Sequence, residues 1–193
     1  MLDNENVLAE FKKIEVDRIF EMAKTGQISL MSESGRKITG VMSAILVNAT
    51  DNEAWEILLN YEAYCKYLPG IQTSKVLSRC ENTIVVRFVA GVKIMGIGGT
   101  VKYTYRLIIN KPYVDVYDAS TGDLTGYWAI LETPDTNQVI LAHADVAKDV
   151  GASSVFVKFM IEQMPTADIA FNISPVAMTV NRMARRMEQA RNK

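Results

Sequence analysis

An α+β fold is predicted here: a seven-stranded antiparallel sheet covered by a long C-terminal helix. Three observations lead to it. Between Ile71 and Val146, β-branched and aromatic runs alternate with turn residues at intervals of roughly 8–12 positions, the pattern of an antiparallel meander. Residues 36–48 add one more strand-like run. The C-terminal segment carries an apolar stripe, Val176, Val180, Met183 and Met187, at i, i+4, i+7 and i+11, with Arg182, Arg185, Arg186 and Arg191 on the opposite face. A sheet needs its apolar face covered, and that helix is the only long element left to do so.

The elements follow in order. Residues 4–24 predict a charged amphipathic helix, with Val7, Phe11, Ile14, Phe20 and Met22 near helical spacing. Gly26 supplies its stop. A short apolar run, Ile28 to Met31, leads into Ser32-Glu33-Ser34-Gly35, which reads as a turn. After the strand over 36–48, Thr50 or Asp51 caps a helix carrying Ala54, Trp55, Leu58 and Leu59, with Glu53 adding first-turn negative charge. Asn60 interrupts it, and Tyr61 to Tyr67 reads as a second short helix. The six later strands span 71–79, 83–94, 100–110, 113–119, 124–133 and 138–147, each separated by residues that turns need. Residues 153–164 read as a helix with Phe156, Phe159 and Met160 on one side, ended by Pro165. Ser174 and Pro175 then open the final helix, a hydroxyl cap followed by proline in the first turn. Residues 1–30 stand as a helical extension ahead of a main domain over 31–193.

Composition narrows the chemistry. The chain has 193 residues, with 21 Lys plus Arg against 22 Asp plus Glu. That balance argues against nucleic acid as the main partner, because phosphate binding needs a basic surface. The 49% hydrophobic content suits an ordinary globular domain. The only histidine is His143, and the two cysteines are Cys65 and Cys80. Their scattered spacing forms no metal motif, so neither metal nor cofactor is expected. No Gly-x-Ser-x-Gly elbow is present to build a nucleophile around His143. No stretch approaches the ~20 apolar residues of a membrane span. The acidic start MLDNENVLAEF lacks the pattern of a signal peptide, so the expected location is cytoplasmic, with reduced thiols.

Several blocks carry a family resemblance. They are Ala54-Trp55-Glu56-Ile57-Leu58, Asn60-Tyr61-Glu62-Ala63-Tyr64, Tyr67-Leu68-Pro69-Gly70-Ile71, Tyr103-Thr104-Tyr105-Arg106-Leu107 and Gly122-Asp123-Leu124-Thr125-Gly126-Tyr127-Trp128. With the element order, they resemble the START-like superfamily, also called SRPBCC, of polyketide cyclase/dehydrase and coenzyme-Q-binding type. The resemblance covers about residues 36–190. It implies a helix-grip fold, a curved sheet wrapped around the C-terminal helix and an interior cavity for lipids, sterols, isoprenoid quinones or polyketides. In that frame the ligand-binding candidates are Trp55, Phe88, Tyr103, Tyr105, Trp128 and His143. On the helix side they are Met160, Val180, Met183 and Met187.

Two polar candidates stay open at this stage. Strand parity puts His143 on one face with Val139, Leu141 and Asp145, either as a satisfied core residue or as an imidazole orienting a ligand. Alternation places Val101, Tyr103, Tyr105 and Leu107 inward and turns Arg106 outward. The resemblance instead implies an inward arginine there, which one β-bulge would allow. The expected function is binding of an apolar small molecule for carriage or sequestration. The alternative is an aromatase/cyclase-type enzyme moving protons with His143, Arg106 or a tyrosine. A third reading has the helix over 4–24 dock a partner or a second copy of the chain. Gly91 to Gly99 reads as a wide hairpin whose Val92, Ile94, Met95 and Ile97 edge the pocket, touch a membrane transiently or pack on a neighbouring loop.

Overall fold

The computed structural model describes residues 4–35, 37–68, 70–94, 97–147 and 166–191. The helix expected over 153–164, with Met160, lies outside the described residues. Within them the fold is α+β, one curved antiparallel sheet gripped by a long C-terminal helix. The sheet has eight strands rather than seven: β1 (Ile28–Ser34), β2 (Lys37–Val47), β3 (Ile71–Cys80), β4 (Thr83–Ile94), β5 (Ile97–Asn110), β6 (Tyr113–Asp118), β7 (Leu124–Glu132) and β8 (Val139–Val146). Their order is β1-β2-β8-β7-β6-β5-β4-β3. The meander from β3 to β8 thus runs in sequence order, and the β1–β2 hairpin joins at β8. No helix among the described residues is long and apolar enough to cross a membrane.

The additional strand is β1, where the sequence suggested a turn from Ser32. Ser34 pairs with Lys37, and the turn falls on Gly35, whose φ of +64° lies in the left-handed region. β1 is an edge strand with polar Ser32, Glu33 and Ser34, and edges are kept short and polar against stray pairing. Such a strand carries too weak an apolar alternation to be read as one.

The N-terminal helix is two helices, α1 (Asn4–Lys12) and α2 (Val16–Ala23). Glu15 between them has extended backbone, φ −58° and ψ 133°, so the axis changes direction there. A continuous helix over 4–24 would run about 31 Å straight. The break lets both pieces bury apolar residues, Leu8 and Phe11 from α1 and Ile19 from α2, on the sheet face formed by Met42, Ala44, Tyr127, Leu131 and Ile140. Gly40 permits the close approach, because a Cβ there would lie 2.5 Å from Val7 Cγ1. Lys12 fastens the contact, its Nζ 2.6 Å from Asp115 and lying over the Tyr113 and Tyr127 rings.

Helix α3 (Asp51–Leu59) begins with a capping box. The Glu53 N–H donates to Thr50 Oγ1, and the Thr50 N–H and hydroxyl donate to Glu53 Oε2 at 2.8 and 2.9 Å. Those bonds, the backbone one foremost, hold the Glu53 carboxyl below its usual range. Thr50→Ala should therefore cost about 1 kcal/mol. A lowered carboxyl pKa contributes stability above the ordinary glutamate range and loses it as pH falls through the depressed value. The cost should accordingly shrink on acidification below about pH 4, measured by urea denaturation across pH.

The final helix, α4 (Thr166–Arg191), starts earlier than the Ser174-Pro175 signal placed it. Pro175 sits inside the helix rather than in its first turn. Its ring removes one backbone bond, but Pro175 is exposed, so the interruption falls on the solvent side. The inner core lies between α4, α3 and the sheet. Val180, Met183 and Met187 pack there with Trp55, Leu58, Ile130 and Leu141.

Candidate functional site

The residues after Asn60 form a 3₁₀ helix, Tyr61–Lys66. With three residues per turn, positions i, i+3 and i+6 eclipse. Tyr61, Tyr64 and Tyr67 therefore fall on one side, with ring centroids 5.1 and 5.7 Å apart and planes tilted by 53° and 58°. The Ser74 hydroxyl on β3 donates to the Tyr61 carbonyl and ties the helix to the sheet. Tyr64 Oη donates to the Leu58 carbonyl at 2.6 Å.

Opposite this ladder, β4 and β5 pair in unbroken register, Phe88 with Tyr103 and Val86 with Tyr105. Without a bulge, parity is kept, so Tyr103, Tyr105 and Leu107 face inward and Arg106 faces out. Phe88 stacks on Tyr64 at 5.9 Å, and Tyr103 on Tyr105 at 6.1 Å with planes 7° apart. On the far side Trp128 and His143 are cross-strand partners, stacked at 4.1 Å and 10°.

Together these walls line an open-mouthed pocket of about 270 Å³. Its polar groups include His143, Asp145, Thr125 and Thr179 within an otherwise largely apolar and aromatic lining. His143 Nδ1 lies 2.9 Å from the Tyr127 carbonyl, which accepts a bond only if Nδ1 carries the proton. That fixes the neutral tautomer and leaves Nε2 with a lone pair, 3.5 Å from Asp145 Oδ2. On protonation, Nε2–H donates towards that carboxylate. The site therefore sets an imidazole and a carboxylate side by side. Burial, then the Asp145 charge, pushes the Tyr105 hydroxyl up, so it stays a neutral donor across the physiological range. Gly126, paired with Asp145, leaves the space its carboxylate occupies: a Cβ there would lie 2.3 Å from Asp145 Oδ1.

Of the sequence candidates, Phe88, Tyr103, Tyr105, Trp128 and His143 line this pocket. Val180, Met183 and Met187 do not; all three are fully buried in the core beside it. Trp55 is also core, with Nε1 donating to Asp51 at 2.9 Å and Lys111 over its ring. Arg106 is exposed and lies over the Tyr117 ring at 4.9 Å, away from the pocket. Met160 lies outside the described residues. Sequence reasoning missed Tyr61 and Tyr64, whose spacing is a signal only at the three-residue period. It also missed Leu68, Ile71 and Val116, whereas Leu107 follows the inward parity of Tyr103 and Tyr105. Asp145 shares the parity of His143 and was legible on that ground. Among the described side chains of α4, the one that lines the pocket is Thr179, next to Val180 of the stripe.

No protein-family model and no curated protein sequence matches the chain. Solved structures do resemble it. A STAR-related lipid transfer protein fragment from Xanthomonas axonopodis is similar at a TM-score of 0.59 and 11% identity, over 85% of this chain and 94% of that one. The Zhui aromatase/cyclase of a Streptomyces species is similar at 0.50 and 20% identity, over 78% and 96%. Human StAR-related lipid transfer protein 5 is similar at 0.50 and 9%, over 97% and 99%. The shared feature is the fold, the START-like helix-grip.

Proposed function

We propose that the chain binds an apolar small molecule in this pocket, for carriage or sequestration. The carrying observation is the lining itself: six aromatic rings, those of Tyr61, Tyr64, Phe88, Tyr103, Tyr105 and Trp128, around a space with few polar groups. Burying ligand surface at about 25 cal/mol per Å² supplies the affinity, and the sparse polar groups set orientation. The ligand class is a lipid, an isoprenoid quinone or a polyketide-like molecule. Two of the proteins of similar fold are named for lipid transfer. In this reading residues 31–193 form the binding unit and 1–30 an extension, whose helices α1 and α2 pack on the sheet's other face. The free thiols of Cys65 and Cys80 fit a reducing cytoplasm.

One observation favours a second reading, an aromatase/cyclase-type enzyme working in the same space. The His143–Asp145 pair can accept and return a proton at a bound carbonyl compound, and one protein of similar fold is named an aromatase/cyclase.

Native mass spectrometry of the gently purified protein separates these. A non-covalent adduct released unchanged on denaturation supports carriage, and release of a dehydrated or cyclised product from a supplied polyketone marks the enzyme. Protein that stays free of adducts and takes up no apolar probe would overturn both.

A further inference from the structure

We propose that Gln27 is a positioning residue of the pocket: its side-chain amide holds α4 from behind and keeps that helix from closing over the space. This rests on the pocket reading above and gives the N-terminal extension a part in it. Gln27 Nε2 donates to the Ser43 hydroxyl at 2.9 Å and to the Ala177 carbonyl at 2.7 Å. Its Oε1 accepts from Asn181 Nδ2 at 3.1 Å. Both amide hydrogens and one acceptor site are thus used. Ser43 is a firm anchor, for it is fully buried on β2 and its own hydroxyl donates to the Ile28 carbonyl at 2.8 Å. It is also the cross-strand partner of His143, so the two side chains share the inner face. Helix α2 packs on the outer face. Gly26, at a φ of +133° that other residues rarely adopt, turns the chain between α2 and Gln27.

Gln27 and the pocket lie on opposite flanks of α4. The helix packs over β2, with Val176 against Ile38 and Val41. On one flank Thr179 joins Phe88, Tyr103 and Tyr105 of β4 and β5 in the pocket lining. Gln27 reaches the other flank from the β1 edge of the sheet. Ala177 and Asn181 stand two residues to either side of Thr179, and helical geometry turns each roughly 160° away from it. Apolar rings around an unfilled space favour closure, because closing removes their surface from water. The apolar stripe of α4 resists sliding weakly, since such contacts are non-directional. Hydrogen bonds do not survive a shift of about an ångström unstrained. Near its C-terminus α4 is tied as well, Glu188 to Asn48 and Arg191 to Asn137. Gln27 secures the turn beside Thr179, and without it that turn is free to swing towards β4 and β5.

The test titrates 9-fluorenone, a rigid flat probe, calorimetrically into wild type, Gln27→Met, Asn181→Leu and the double variant, each under conditions where it is fully folded. Gln27→Met keeps the length and bulk of the side chain and loses its hydrogen bonds. Its affinity should fall at least tenfold, because apparent affinity scales with the open fraction and several bonds, each worth roughly three- to tenfold, are lost. Asn181→Leu removes one bond and should cost roughly three- to tenfold. Adding it to Gln27→Met should cost nothing further, as for two parts of one device. A residue that only supports the fold would lower the urea midpoint and leave the affinity of the folded protein unchanged. That outcome, or full additivity in the double variant, overturns the inference and leaves the pocket reading standing. If Gln27→Met does not fold, Asn181→Leu decides alone by the same loss of affinity. Wild type that takes up neither fluorenone nor its hydrocarbon analogue fluorene removes the pocket reading as well.

Discussion

Met183→Ala should lower the unfolding free energy by about 2–5 kcal/mol and leave the affinity of the pocket for an apolar probe nearly unchanged. Met183 is fully buried, in one cluster with Trp55, Leu58, Val180 and Met187. Truncation removes the thioether and its methyl from a site already closed by α3, α4 and the sheet. The surroundings relax only in part, and the remaining void costs about 24 cal/mol per Å³ in addition to the lost transfer energy. The pocket is insulated from this loss because, among the described side chains of α4, Thr179 lines it and the methionines do not. Urea denaturation measures the first effect, and titration with fluorenone or a comparable probe measures the second. A small loss of stability with a large loss of affinity would instead make Met183 part of the binding wall.

That prediction turns on a distinction invisible to periodicity. The stripe at 176, 180, 183 and 187 correctly marks the buried face of the C-terminal helix. Period alone does not say whether the buried face meets packed side chains or a space. The sheet was more informative, because strand alternation assigns every second residue to one face. Phe88, Tyr103, Tyr105, Trp128 and His143 follow that rule into the pocket, and so does the outward Arg106, since no bulge interrupts β4 and β5. The inward arginine implied by the family resemblance would have required one. The meander from β3 to β8 was legible because each turn is punctuated by residues suited to it. β1 was not, because an edge strand has little apolar content to alternate. The start of α4 was misplaced because proline is commonest in a first turn, and here an exposed Pro175 is tolerated mid-helix. Tyr61, Tyr64 and Tyr67 share a face at the three-residue period of a 3₁₀ helix and drift apart at the 3.6 of an α-helix.

Gly126→Ala should lower stability by about 1–3 kcal/mol, the usual cost of forcing an extra carbon into a packed place, and should disturb the His143 side chain. The reason is position rather than backbone freedom, for Gly126 is the cross-strand partner of Asp145 in the β7–β8 ladder. A Cβ on residue 126 would lie 2.3 Å from Asp145 Oδ1 and 2.4 Å from the Ala144 carbonyl oxygen. The carboxylate can swing aside, but the backbone carbonyl moves only if the ladder does. Both adjustments carry Asp145 away from His143 Nε2, now 3.5 Å from it. The chain has a single histidine, so its imidazole nitrogen signals can be followed by NMR without ambiguity. They should shift in Gly126→Ala in the same sense as in Asp145→Asn, which removes the charge without adding bulk. Asp145→Asn should do so with less loss of stability, because it leaves the strand pair intact. Unchanged imidazole signals and unchanged stability in Gly126→Ala would mean that the ladder has room for the methyl group. The absent side chain at 126 would then not be what sets the carboxylate against the ring.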